Sequence, residues 1–164
     1  MAVYLPSLYN NGVNAETTFM IRPLEFSGEV RFLDQTRLPT EEIWVEARDL
    51  ETICEAIRLL RVRGAPLIGV AAAYGVWIGV RETRATDRDA FLREIDVVAA
   101  RLIETRPTAV NLKKGVDFVV AAVRGSSETG PTALVAAALD AARRFHETDL
   151  AMCRAIGEAG AKLL

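Results

Sequence analysis

Residues 64–80 constrain the fold of this chain more than any other feature, because these 17 residues carry no charge and lie between Arg63 and Arg81. The run is shorter than the ~20 apolar residues that a helix needs to cross a bilayer. It also contains small residues that let neighbouring helices approach closely, namely Gly64, Gly69, Gly75 and Gly79. We therefore predict a buried central helix with other helices packed around it, and no membrane span.

The start of this helix has the properties of an anion site. Pro66 suits the first turn of a helix, where its missing N–H would have no partner, so Gly64 and Ala65 fall at the helix entrance. Their N–H groups and the positive end of the helix dipole favour a phosphate or a carboxylate, and the Arg63 guanidinium can bind such a group through two hydrogen bonds. The alternative is that Arg63 pairs with an acidic side chain or solvates the helix entrance.

A second turn repeats the arrangement in residues 106–112. Pro107 biases Arg106 toward an extended conformation, and a helical pattern follows with Thr108 as its expected cap. If the two helix entrances are adjacent, Arg63 and Arg106 converge on one phosphorylated small molecule.

Composition narrows the class of protein. The chain has 164 residues, 51% of them hydrophobic, which is enough for one domain with a substantial core and predicts apolar surface covered by a partner. The net charge is −2, and the 20 basic residues are dispersed, which argues against a nucleic-acid surface. No signal peptide is evident, and two cysteines form no metal-ligand pattern, so we expect a cytoplasmic protein without a metal.

Periodicity predicts an α+β fold, in which a small N-terminal antiparallel sheet is followed by a helical bundle. Residues 1–18 read as a leader, and a hairpin (19–26 and 29–33) and a third strand (42–46) follow. The helices are predicted from Asp49 to Leu60, over 64–80, from Thr86 or Asp87 to before Pro107, over 109–124, and from Pro131 onward, with a possible break at 146–148. We expect residues 19–130 to form the domain and 131–164 to connect it to a further one.

The chain offers few candidates for catalysis. His146 is the only histidine and lies in a polar helical stretch, where a solvated side chain is expected. Packing is the expected role of Cys54 and Cys153, and solvation that of Lys113 and Lys114. Two anion-binding turns without an evident acid, base or nucleophile indicate the binding part of a larger site.

Four segments, in this order and spacing, resemble the N-terminal portion of the methylthioribose-1-phosphate isomerase family. They are Leu33-Asp34-Gln35-Thr36-Arg37-Leu38-Pro39, then residues 56–75, then Thr105-Arg106-Pro107-Thr108-Ala109-Val110-Asn111-Leu112, and finally Arg154-Ala155-Ile156-Gly157-Glu158-Ala159-Gly160-Ala161. The resemblance covers about residues 20–164.

The resemblance implies an aldose-ketose isomerase of methionine salvage, which converts 5-methylthioribose 1-phosphate to 5-methylthioribulose 1-phosphate without a cofactor. It implies substrate binding by Arg63, Gly64, Ala65 and Arg106, and a homodimer. It also implies that the catalytic cysteine and aspartate lie in a C-terminal Rossmann-like α/β domain, after the motif at 157–161, so that Cys153 is not catalytic and this chain alone is inactive.

Two alternatives stay open at this point. The same superfamily includes regulatory subunits of the guanine-nucleotide exchange factor of translation initiation, which bind partner proteins, and a ribose-1,5-bisphosphate isomerase that differs in its substrate at the sugar C5. The two arginine turns favour an isomerase over a regulatory subunit.

Overall fold

Three short strands and five helices make up residues 22–163, the part of the chain that the computed structural model describes. The elements are β1 (Leu24–Phe26), β2 (Val30–Leu33), β3 (Trp44–Glu46), α1 (Leu50–Arg58), α2 (Ala65–Val80), α3 (Arg88–Thr105), α4 (Val110–Gly125) and α5 (Pro131–Ala161). The predicted α+β order, a sheet followed by helices, is confirmed. The predicted leader and the start of the hairpin at residues 19–21 lie outside the described residues.

The sheet is antiparallel with the order β1-β2-β3. Leu24 lies opposite Phe32, and Leu33 lies opposite Trp44. Side chains alternate along β2, where Val30 and Phe32 are buried against the helices. The exposed Arg31 pairs across the strands with Glu25 at 2.6 Å. One face of the sheet thus completes the helical core.

Helix α2 forms the centre of the molecule, as the uncharged run predicts. Every residue from Ile68 to Ile78 is buried, and α1, α3, α4 and α5 all contact α2. No helix within residues 22–163 is long and apolar enough to cross a membrane.

Glycines set the distance between α2 and its neighbours. A Cβ added at Gly69 would lie 2.7 Å from the backbone oxygen of Asn111, and one added at Gly115 would overlap the backbone oxygen of Gly69. A Cβ at Gly75 would lie 2.9 Å from Leu102 of α3. Helices α2 and α4 therefore touch backbone to backbone near the N-terminal end of each, which places the two helix entrances side by side.

Helix boundaries follow the predicted caps in two cases. Asp49 caps α1 through a 2.8 Å hydrogen bond accepted from the Thr52 N–H, and Asp87 caps α3 by accepting from the Ala90 N–H. Pro66 lies in the first turn of α2, as predicted.

Three details of the sequence prediction are wrong. Leu60 is outside α1, because the chain turns there with a φ of 59°, and its side chain is exposed. Val110, which helical periodicity predicts on the inward face of the helix at 109–124, is 67% exposed, because it lies in the first turn of α4. Helix α5 runs without a break through 146–148, since none of those residues interrupts a helix.

The two halves of α5 have different surroundings. Leu134, Ala138, Ala141 and Ala142 pack into the core, whereas residues 151–163 are exposed, including Met152 and Ile156. The division of the chain at residue 130 and the connecting role of 131–164 stay predictions.

The contact between α2 and α4 predicts a large effect of one added methyl group. We expect Gly115→Ala to lower the free energy of unfolding by about 2 kcal/mol or more, because backbone atoms cannot move aside as a flexible side chain can. Gly125→Ala, in the same helix, is the control, since a Cβ there meets nothing within 4 Å. Urea denaturation of both variants would measure the difference, and equal stabilities would contradict the proposed close contact.

Candidate functional site

The entrances of α2 and α4 form one pocket of about 360 Å³. Gly64, Ala65 and Ile68 line it from the first turn, and the second turn contributes Arg106 and residues 108–112. The structure therefore brings together three of the four predicted binding residues. Arg63, the fourth, is adjacent in sequence, and its exposed side chain is not part of the pocket lining.

Neither helix entrance is capped by a side chain. Gly64 is the N-cap of α2 and Ala109 that of α4, and the first turn of neither helix contains an acidic residue. The predicted cap at Thr108 is therefore wrong, because the helix begins one residue too late for its hydroxyl to cap it. Free N–H groups at both entrances thus accompany the positive ends of two helix dipoles.

The conformation of Gly64 is one that side chains disfavour. Its φ of 95° lies in the left-handed region, and an added Cβ would point into open space. A glycine at this position therefore permits the backbone conformation of the turn. Its lack of a side chain also leaves the approach to the Ala65 N–H unobstructed.

The arginines beside the pocket have no acidic partner among residues 22–163. Ten ion pairs occur in that part of the chain, and none involves Arg63 or Arg106. The alternative that Arg63 pairs with an acidic side chain is not what the structure shows. Within residues 22–163, no carboxylate competes with an external anion for either guanidinium group.

A buried carboxylate holds the loop before Gly64 in place. Asp34 is the one charged side chain buried within the described residues, and it accepts hydrogen bonds from the N–H and the hydroxyl of Thr36 at 3.0 and 2.6 Å. It lies 3.7 Å from Arg61, whose backbone oxygen accepts a 2.9 Å hydrogen bond from the Gln35 N–H. This network joins the segment after β2 to the loop that carries Arg63.

The electrostatics of Asp34 agree with this role. Burial raises the pKa of this carboxyl group, but the Thr36 hydrogen bonds and the charges of Arg61 and Arg37 lower it more, so that the net pKa lies below the usual value. Sequence reasoning missed the function of Asp34. The spacing of Asp34 and Thr36, two residues apart after a strand, is the local signal for such a turn.

Tyr74 and His146 form a second polar feature. The hydroxyl of Tyr74, a residue that is only 2% exposed, lies 3.2 Å from Nδ1 of His146. The prediction of a solvated His146 is therefore wrong, because α5 packs on α2 and turns this side chain inward. A tyrosine inside an otherwise apolar helix needs a hydrogen-bond partner, and that requirement is the signal that the sequence offered.

The Tyr74 and His146 pair is uncharged at neutral pH. Burial raises the pKa of Tyr74 to about 12, with smaller opposing effects of Arg143 and Glu147. Burial lowers the pKa of His146, because it disfavours the charged form of the ring, and the nearby Asp149 opposes this effect.

The burial of the two cysteines and two lysines tests the roles predicted for them. Cys54 is fully buried, as predicted, and burial raises the pKa of its thiol, which disfavours the thiolate. Cys153 is exposed, so its predicted packing role is wrong within this structure, because α5 leaves the core before it. Lys113 and Lys114 are exposed, as predicted, and Lys113 pairs with Asp117.

The lowered pKa of His146 predicts a dependence of stability on pH. The unfolded chain binds a proton near pH 6.5 and the folded chain only at lower pH, so the free energy of unfolding should fall as the pH drops from 7.5 to 5. We expect His146→Phe to remove this slope, since the chain contains no other histidine. Denaturation at several pH values would measure it, and identical slopes in both proteins would contradict the assignment.

Comparison with known proteins assigns the chain to a family. Residues 61–164, which include both turns of the pocket, match the model of the Initiation factor 2 subunit family. The chain belongs to this family.

Its relatives include enzymes and a translation factor. The chain is 45% identical over 135 residues to a methylthioribose-1-phosphate isomerase of a Picosynechococcus strain, which covers 82% of this chain and 39% of that protein. A structure of the translation initiation factor eIF-2B subunit delta from A. fulgidus superposes with a TM-score of 0.76 and 32% identity, covering 88% of this chain and 42% of that one. A structure of 5-methylthioribose 1-phosphate isomerase from Pyrococcus horikoshii OT3 gives a TM-score of 0.73 at 29% identity, covering 80% and 37%.

These figures confirm the resemblance found from the sequence motifs. The chain spans about two fifths of the length of the relatives it matches.

Proposed function

We propose that this chain is the N-terminal, substrate-binding part of an aldose-ketose isomerase of methionine salvage. Its substrate is 5-methylthioribose 1-phosphate and its product 5-methylthioribulose 1-phosphate. The observation that carries the proposal is the single pocket that Gly64, Ala65 and Arg106 line together. Relatives named as isomerases of this substrate support it.

The chemistry explains why such a pocket is needed. A sugar phosphorylated at C1 cannot open its ring as readily as a free aldose, so the reaction needs acid and base assistance for ring opening and for moving hydrogen from C2 to C1. The two uncapped helix entrances and Arg106 would hold the phosphate, and Arg63 would close over it from the exposed side. Fixing the phosphate orients C1 and C2 toward reacting groups, which lowers the barrier only when those groups are present.

The acid, base or nucleophile would come from the remainder of the enzyme. Cys54 is buried in the core, and Cys153 precedes the segment after which the family's cysteine is expected. We propose that the assembled enzyme is a cytoplasmic homodimer, with the exposed end of α5 directed toward the C-terminal domain.

A regulatory role in translation initiation is the second candidate function. The eIF-2B delta structure, with the higher TM-score of the two structures, favours it. The two candidates differ in chemistry, because only the isomerase converts a sugar phosphate. Turnover of 5-methylthioribose 1-phosphate by the complete protein therefore discriminates between the two candidates.

We expect the purified chain to bind inorganic phosphate and to lose affinity in the Arg106→Gln variant. The loss should be about tenfold or more, because a hydrogen bond to a charged group contributes roughly 1.5–3 kcal/mol. Arg63→Gln should show a smaller loss, since that side chain is exposed. Isothermal titration calorimetry measures both.

Arg101→Gln is the matched control, because Arg101 is exposed, pairs with Glu51 and does not line the pocket. Wild-type affinity in Arg106→Gln, or equal losses in Arg106→Gln and Arg101→Gln, would refute the phosphate site. Conversion of 5-methylthioribose 1-phosphate by residues 1–164 alone would refute the assignment of the chemistry to another domain.

A further inference from the structure

His146 lies on the wall of two adjoining cavities, and Tyr74 on the wall of one of them. One, of about 300 Å³, is lined by both residues and by Phe26 and Arg143. The other, of about 250 Å³, is lined by His146 at one side and by Gly64 at another. Gly64 also lines the phosphate pocket, so the smaller cavity and that pocket share one wall residue.

Aromatic packing fixes the orientation of the pair. The Tyr74 ring stacks on Phe26 at 5.5 Å between centroids and meets the His146 ring edge-on at 5.7 Å. With Nδ1 of His146 bonded to the Tyr74 hydroxyl, the ring nitrogen left for a ligand is Nε2. Because the hydrogen bond at Nδ1 fixes the ring, it also fixes the direction in which Nε2 can form a hydrogen bond.

The chemistry of a neutral imidazole selects the kind of group that Nε2 can bind. Nε2 is a donor in one tautomer and an acceptor in the other. A hydroxyl group can form a hydrogen bond with either tautomer, because it both donates and accepts. A phosphate or carboxylate accepts only. Glu25 and Glu147 line the larger cavity together with Arg22 and Arg143, so the preference for a hydroxyl group rests on the imidazole and not on the charge of the cavity.

We propose that His146, oriented by Tyr74, binds a hydroxyl group of the sugar whose phosphate lies at the entrance of α2. This inference rests on the proposed function and assigns the sugar-binding side of the same site. His146 is then a substrate-binding residue, and Tyr74 a positioning residue that acts through it.

The single histidine makes a direct test possible. The tag-free chain gives one imidazole signal in NMR spectra, which belongs to His146. We expect saturating ribose 1-phosphate to shift this signal, and saturating inorganic phosphate to leave it in place. An unmoved signal with ribose 1-phosphate, or an equal shift with both probes, would overturn the inference.

Two variants give an independent measurement. His146→Phe and Tyr74→Phe keep the aromatic packing, and each should weaken ribose 1-phosphate about three- to tenfold, the effect of one hydrogen bond, while phosphate affinity changes less than about twofold. Unchanged ribose 1-phosphate affinity in both would overturn the inference. If a variant fails to fold, the wild-type NMR experiment decides alone.

Failure of the proposed function has a different signature. In that case Arg106→Gln binds inorganic phosphate as the wild type does, or neither probe binds at all. If Arg106→Gln loses affinity for both probes while His146 does not respond to either, the phosphate site stands and only the present inference fails.

Discussion

The backbone contact between α2 and α4 is the constraint on which the rest of the structure depends. Gly69 and Gly115 let the two helices touch where any larger residue would separate them. Because this contact lies close to both helix entrances, it also fixes the spacing of the two arginine turns. Core packing and the geometry of the pocket therefore have the same physical origin, and the central helix is both the core of the domain and one wall of its site.

The pocket has the electrostatics that an anion requires. Two helix entrances without capping side chains present their N–H groups together, and the neighbouring arginines have no carboxylate partner in the described part of the chain. An isolated structural helix normally satisfies its first N–H groups with a side chain, as Asp49 and Asp87 do for α1 and α3. Helix α5 also begins without a side-chain cap, at Gly130. What distinguishes α2 and α4 is that their two uncapped entrances line one pocket, and this adjacency supports a ligand there.

Much of this arrangement could be predicted from the sequence. The uncharged run identified the buried helix, Pro66 identified its start, and the repeated arginine turn identified both sides of the pocket. These features are local, and local patterns indicate well which secondary structure a segment adopts. The long-range contacts were less accessible, since no pattern shows that Gly69 faces Gly115 or that Tyr74 meets His146 across 72 residues. His146 looked solvated because its own helix is polar around it, and only the packing of α5 on α2 covers part of its side chain.

Binding of one anion by two helix entrances is the central claim, and amide NMR tests it most directly. Titration of the ¹⁵N-labelled chain with inorganic phosphate should shift the amides of Gly64, Ala65 and Asn111 with one common dissociation constant, because all three line the same pocket. Shifts at only one of the two turns, or different dissociation constants at the two, would show that the turns do not share a ligand and would contradict the account.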